Sequence, residues 1–162
     1  MTASRIIILR HAEKTGVDTD PELSERGRLR AAVLSAALPQ YFGKIDHVIA
    51  AQSTEHSARP LRTVEPLSMA LGIRVQQRWK TAQYKELAAA LFSDPEFEQR
   101  QVLICWRHKS LQALARALGA ADAEPWSETE YDRTWLIDLP TCTLAVLRQR
   151  LDGKELSFAS SK

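Results

Sequence analysis

Ile6-Ile7-Ile8-Leu9-Arg10-His11 is four apolar residues running straight into a cation and an imidazole. An Ile-rich run of this length, without polar alternation, reads as a strand buried on both faces, placed at residues 5–9. Arg10 and His11 are poor core material, so they belong at the strand's exit. The pattern recurs downstream, where Val102-Leu103-Ile104-Cys105-Trp106 runs into Arg107-His108. Two imidazoles, each delivered by the end of a short apolar strand, point to one shared pocket.

The intervening chain alternates between the two periods. Ser24 is a candidate N-cap for a helix whose stripe is Leu29, Val33, Leu34, Ala37 and Leu38, with Pro39 expected to close it. Strands are predicted at Asp46–Ala51, Ile73–Gln77 and Gln101–Trp106, and helices at Arg59–Leu71, Gln83–Phe92 and His108–Leu118. Pro60 suits the first turn of the second helix, and Gly72 and Gly119 suit C-termini. Arg133–Leu139 and Thr143–Arg150 read as two more strands, with a hairpin near Pro140. Residues 152–162 are expected to be a frayed tail or a weak edge strand. This alternation implies an α/β domain over 1–162 with a mostly parallel sheet covered on both faces. Ligands of such sheets bind beyond the carboxyl ends of the strands. Arg10, His11, Arg59 and His108 should therefore meet at one edge.

Composition narrows the function. The chain has 162 residues and a formal net charge of +2. That balance gives no basic surface for nucleic acid, and no apolar stretch approaches membrane-spanning length. The two cysteines, Cys105 and Cys142, sit in apolar stretches and read as buried reduced thiols of a cytoplasmic protein. The four histidines lack metal-ligand spacing, so no metal is expected. The four tryptophans read as core and cleft walls.

The junction residues suit phosphoryl transfer. That chemistry needs a nucleophile, charge on the equatorial oxygens and help for the leaving oxygen. A neutral imidazole serves as the nucleophile and forms a phosphohistidine. Arginines clamp phosphate oxygens bidentately, and His108 at a helix start brings free backbone N–H groups. No metal or other cofactor is required.

Four elements carry a family resemblance. They are Leu9-Arg10-His11-Ala12-Glu13-Lys14, Leu23-Ser24-Glu25-Arg26-Gly27, Arg59-Pro60-Leu61-Arg62-Thr63 and Cys105-Trp106-Arg107-His108-Lys109. In this order they resemble the histidine phosphatase (phosphoglycerate-mutase-like) superfamily over roughly residues 5–119. The resemblance implies a single α/β/α three-layer domain whose mostly parallel sheet has an antiparallel edge strand. It makes His11 the nucleophile and puts Arg10, Arg59 and His108 in a phosphate pocket. The implied activity is metal-independent hydrolysis of a phosphomonoester or phosphoramidate carried by a small molecule or a phosphoprotein.

The sequence departs from the family pattern at three points. Glu55 stands where a serine often precedes the second arginine, which leaves Ser57 as a nearby candidate for phosphate binding. Arg107 replaces a small or polar residue before the second histidine, and is expected either to add a pocket cation or to face solvent. No clean acid follows the third strand, and Glu86 is the nearest candidate. A site without that acid favours an activated phosphoryl donor. The alternative reading is a pseudophosphatase, a module that binds phosphate without turnover.

Overall fold

The computed structural model describes residues 2–161. The elements follow in the order β1 (Arg5–Arg10), α1 (Glu25–Phe42), β2 (His47–Ala50), α2 (Arg59–Leu71), β3 (Val75–Gln76), α3 (Tyr84–Ser93), β4 (Gln101–Trp106), α4 (His108–Ala117), β5 (Arg133–Asp138), β6 (Thr143–Asp152) and β7 (Glu155–Ser160). They form one seven-stranded sheet of order β3-β2-β4-β1-β5-β6-β7. The first four strands of that order are mutually parallel. β5, β6 and β7 continue it with antiparallel pairings. The sheet is thus mostly parallel by strand direction, with an antiparallel margin three strands wide rather than one.

Side-chain alternation along β1 divides the core. Ile6 and Ile8 pack with Leu87 and Leu91 of α3 and Leu111 and Leu114 of α4. Ile7 and Leu9 pack with Leu34 and Leu38 of α1 and Val64 and Leu67 of α2. Helices therefore cover both faces, and β1 and β4 are buried on both sides. This is why they read as continuous apolar runs. Trp79, Trp106, Trp126 and Trp135 are all buried in the first cluster.

The topology creates the site. After β1 the chain crosses over β4 to reach β2, by way of α1 on one face. After β4 it turns the other way to β5, by way of α4 on the opposite face. The carboxyl ends of β1 and β4, which are paired neighbours with Arg10 opposite Trp106, therefore open into a crevice where the chain directions diverge.

Several local expectations need correction. Pro39 does not close α1, which runs on to Phe42 and ends at Gly43. Proline removes one N–H in the last turn only, and burial of Leu38 and Phe42 in the core holds that turn in place. Of the two readings of the C-terminal stretch, the edge strand holds and the frayed tail does not: residues 155–160 pair with β6 as the sheet's last strand. Phe158 packs against Tyr41 and Phe42, which supplies the apolar anchor that the polar composition hid. Cys105 is buried, but Cys142 is only half-buried and occupies the β5–β6 turn with φ 58°. Among the described residues no helix is long and apolar enough to cross a membrane.

Ser24 caps α1 as expected, its hydroxyl accepting from the Gly27 N–H at 3.1 Å. Gly27 has a second role. A Cβ built there lies 2.3 Å from the Glu13 carbonyl oxygen, so only glycine lets the helix start touch the loop that follows His11. Gly27→Ala is predicted to destabilise the fold by about 1–3 kcal/mol, because the obstacle is backbone and cannot swing aside. Chemical denaturation measures this, and an unchanged midpoint would refute the contact.

Candidate active site

Arg10, His11, Ser57, Arg59, Arg107 and His108 line one open cleft of ≈ 420 Å³, rimmed by Lys14, Asp18, Thr54, His56, Lys109 and Glu128. The structure thus brings together every residue singled out at the strand exits. Glu86 is the exception. It lies on the exposed face of α3's first turn and is absent from the cleft lining. The stripe of α3 that enters the core is Leu87, Ala88 and Leu91, and this register turns Glu86 outward.

His11 is 4 % exposed. Its Nδ1 lies 2.7 Å from the Ala12 carbonyl oxygen. A carbonyl only accepts, so Nδ1 carries the proton and Nε2 keeps its lone pair. Burial pushes the imidazole's pKa down to about 3, and the Arg10, Arg59 and Arg107 cations push in the same direction. His11 is therefore a neutral imidazole with a free lone pair, fixed as one tautomer.

The loop carrying His11 is fastened at several points. The His11 N–H donates to the Trp106 carbonyl at 3.1 Å, extending the β1–β4 ladder. The Ala12 N–H donates to Thr63 Oγ1 at 2.8 Å, and the same hydroxyl donates to the Arg59 carbonyl, also at 2.8 Å. The spacing Arg59-x-x-x-Thr63 therefore ties the loop that follows His11 to the first turn of α2. Glu13 forms a two-pronged pair with Arg30, at 2.8 and 2.9 Å. Burial alone would raise the Glu13 carboxyl, but Arg30 and Arg26 outweigh it and hold the group below its ordinary range. Glu13 is a structural anion, and it fixes the loop from below.

Arg10 and Arg59 share one arrangement. Arg10 Nη1 donates to the carbonyls of Glu128 at 2.5 Å and Glu130 at 2.9 Å, with Ser127 at 3.5 Å. Arg59 Nη1 donates to the Asp20 carbonyl. In each, Nη1 is consumed by main chain, while Nε is buried without a partner. A buried N–H left unpaired carries the full desolvation cost of that group. Arg133 Nε is buried without a partner too, outside the cleft, so what singles out this cleft is that three guanidinium groups and two imidazoles line it together.

Arg107 does not face solvent. Its Nη2 donates to the carbonyls of Gln52 and Ser57, each at 3.1 Å, and its Nη1 to Thr81 Oγ1. It braces the loop before α2 against the segment before α3 and adds positive charge to the cleft. Ser57 is buried on the cleft wall. His108 begins α4, whose N-terminus has no side-chain cap. Burial lowers the His108 pKa and Arg10 adds to this, while Glu128 opposes it. A bound phosphate dianion would counter both lowering effects.

Lys14 bridges Asp18 at 3.5 Å and Glu128 at 3.7 Å, so the rim is partly self-neutralised. Glu128 and Tyr131 were not marked in the sequence. Tyr131 stacks on Arg10, whose guanidinium carbon is 4.0 Å from the ring centre, and lies 6.0 Å from the His11 ring. Both residues belong to the irregular segment between α4 and β5, where no periodicity marks the inward side chains. His47 is structural, with one ring nitrogen on the Glu96 carbonyl and the other on Gln76. Arg62 pairs on the surface with Glu22 and Glu65.

No protein-family model and no curated protein matches the sequence. Solved structures do match over nearly the whole chain. One is a protein from Agrobacterium tumefaciens named as the phosphohistidine phosphatase SixA, at 20 % identity and TM-score 0.61, covering 98 % of this chain and 99 % of that one. A second is a phosphoglycerate mutase from Plasmodium falciparum, at 14 % identity and TM-score 0.58, covering 100 % and 98 %. A third is a mycobacterial glucosyl-3-phosphoglycerate phosphatase in complex with inorganic phosphate, at 16 % identity and TM-score 0.53, covering 99 % and 96 %. The chain has the phosphoglycerate-mutase-like fold, which it shares with these structures.

Proposed function

We propose that the protein is a metal-independent phosphatase working through phosphorylated His11. The observation that carries this reading is the convergence of Arg10, Arg59, Arg107 and His108 on one cleft around an imidazole whose Nε2 is free. The lone pair of His11 Nε2 attacks phosphorus. The bond from phosphorus to the leaving oxygen or nitrogen breaks, and the leaving group takes that electron pair and a proton from solvent, which the attacking water of the second step returns. Water then attacks the phosphohistidine, releasing inorganic phosphate and restoring the neutral imidazole. Arg10 and Arg59 hold the equatorial oxygens throughout, and His108 adds a hydrogen bond.

The carboxylates at the cleft, Asp18 and Glu128, are both largely exposed, with side-chain accessibilities of 91 % and 68 %. Both stand out in solvent at the rim rather than enclosed where a leaving group would sit. A donor with a good leaving group suits this cleft best, so a phosphoramidate such as phosphohistidine, on a phosphoprotein or a small molecule, is the favoured substrate class. The likeness to the Agrobacterium structure points the same way.

The test is to quench the enzyme during turnover of a phosphoramidate, with chelator present, and to seek acid-labile, base-stable phosphate on His11. With a pKa of about 3, His11 stays neutral above about pH 4, so kcat/KM should show no acid limb near 6.5 from this residue. Phosphate-analogue binding without turnover on any phosphoramidate or phosphomonoester would instead favour the pseudophosphatase reading, and loss of turnover in chelator would sink metal independence.

A further inference from the structure

We propose that Glu130, outside the cleft, is the positioning residue for Arg10: its carboxylate holds the main-chain arch that aims the guanidinium at the oxyanion. The proposal rests on the phosphatase reading and deepens it by naming what orients one of its clamps.

Arg10 is 2 % exposed, and its Nη1 faces only main-chain oxygens, those of Ser127, Glu128 and Glu130. These atoms belong to neither helix nor strand, so something else must set their positions. Glu130 does so from within the arch. Its Oε1 accepts from the Ser127 N–H at 3.2 Å, and its own N–H donates to the Ser127 carbonyl at 3.1 Å. Its carbonyl, besides receiving Arg10, accepts from Trp126 Nε1 at 2.9 Å.

The same carboxylate pins the arch to the sheet. Arg133 Nη2 reaches both oxygens, at 2.8 and 2.7 Å, and Arg148 Nη1 reaches Oε2 at 2.8 Å. Arg133 lies on β5, which pairs with β1, and Arg148 lies opposite it on β6. Arg133 also donates to the Pro125 carbonyl at 2.9 Å and lies against the Trp126 and Trp135 rings. One carboxylate thus links two sheet strands to the carbonyls that grip Arg10. These carbonyls hold the Nη1 end, and the rest of the guanidinium is left to line the cleft. Without the anchor, Arg10 keeps its charge and loses its aim.

The experiment measures inorganic phosphate binding by titration calorimetry for wild type, Glu130→Gln, Arg10→Ala and the double variant, with thermal unfolding on the same samples. Glu130→Gln is expected to weaken phosphate about tenfold, within what a misplaced binding group costs. The double variant is expected to bind no more weakly than Arg10→Ala alone, since Glu130 acts only through Arg10. If Glu130→Gln does not hold its fold, Arg148→Met removes one anchor from the half-exposed side and carries the same non-additivity at smaller scale. Equal weakening in both backgrounds, or none in either, overturns the proposal. Phosphate binding undiminished in Arg10→Ala would refute the site itself, a separate and recognisable failure.

Discussion

His11→Ala is expected to lower phosphatase turnover by about 10⁴-fold or more, the scale at which removal of a covalent nucleophile is felt, while the fold persists. The argument is local. His11 is buried, its Nδ1–H is committed to the Ala12 carbonyl, and no second imidazole in the cleft is fixed in this way. His108 is half-buried at a helix start, and His56 is exposed and paired with Glu55 at 3.1 Å. Alanine leaves a small polar void beside Arg10 and Arg59, which water can fill. Phosphate binding should therefore survive when turnover does not. The measurement is kcat together with phosphate affinity for the variant. A variant that keeps wild-type turnover would exclude the phosphohistidine route, whatever the state of the arginines.

Arg59→Ala is expected to reduce kcat/KM by about 10³-fold, comparable to removal of a charged transition-state stabiliser in other phosphoryl-transfer sites. Arg59→Lys should recover little of this. Lysine is a point charge without the planar fork. It cannot donate to the Asp20 carbonyl and present a second N–H to the ligand in the same geometry. Arg59 also holds the loop ending at Pro21 against α2, through that carbonyl. Its loss should therefore raise the KM as well as lower kcat. Steady-state kinetics on both variants decide this. Full rescue by lysine would mean that only net charge matters at this corner of the cleft, and that the planar fork is incidental.

Much of the site was legible because its residues sit where strands end. Ile6–Leu9 and Val102–Trp106 have no polar face, so they had to be interior strands, and what followed them had to emerge at an edge. Arg59 was legible for a related reason, as a cation at a helix N-terminus, where the dipole disfavours it unless an anion binds there. Glu86 failed as a candidate because a carboxylate on a short helix can face either way, and only the packing of Leu87 and Leu91 chose the outward register. The stretch 155–160 stood open between a tail and an edge strand, because the contacts that decide it, Phe158 on Tyr41 and Phe42, come from more than a hundred residues away.

Within this one chain, the apolar runs, the caps and the order of the four strand- and helix-start elements followed from residue type and spacing, since these obey local periodicity and short-range sterics. The contacts that hold the cleft arginines followed from neither. Arg10 is held by carbonyls of Ser127, Glu128 and Glu130, Arg59 by that of Asp20, and Arg107 by those of Gln52 and Ser57. Every residue carries a carbonyl, so these contacts leave no trace in composition. They exist only because the sheet order brings the segments between β1 and α1, β2 and α2, and α4 and β5 to the same edge.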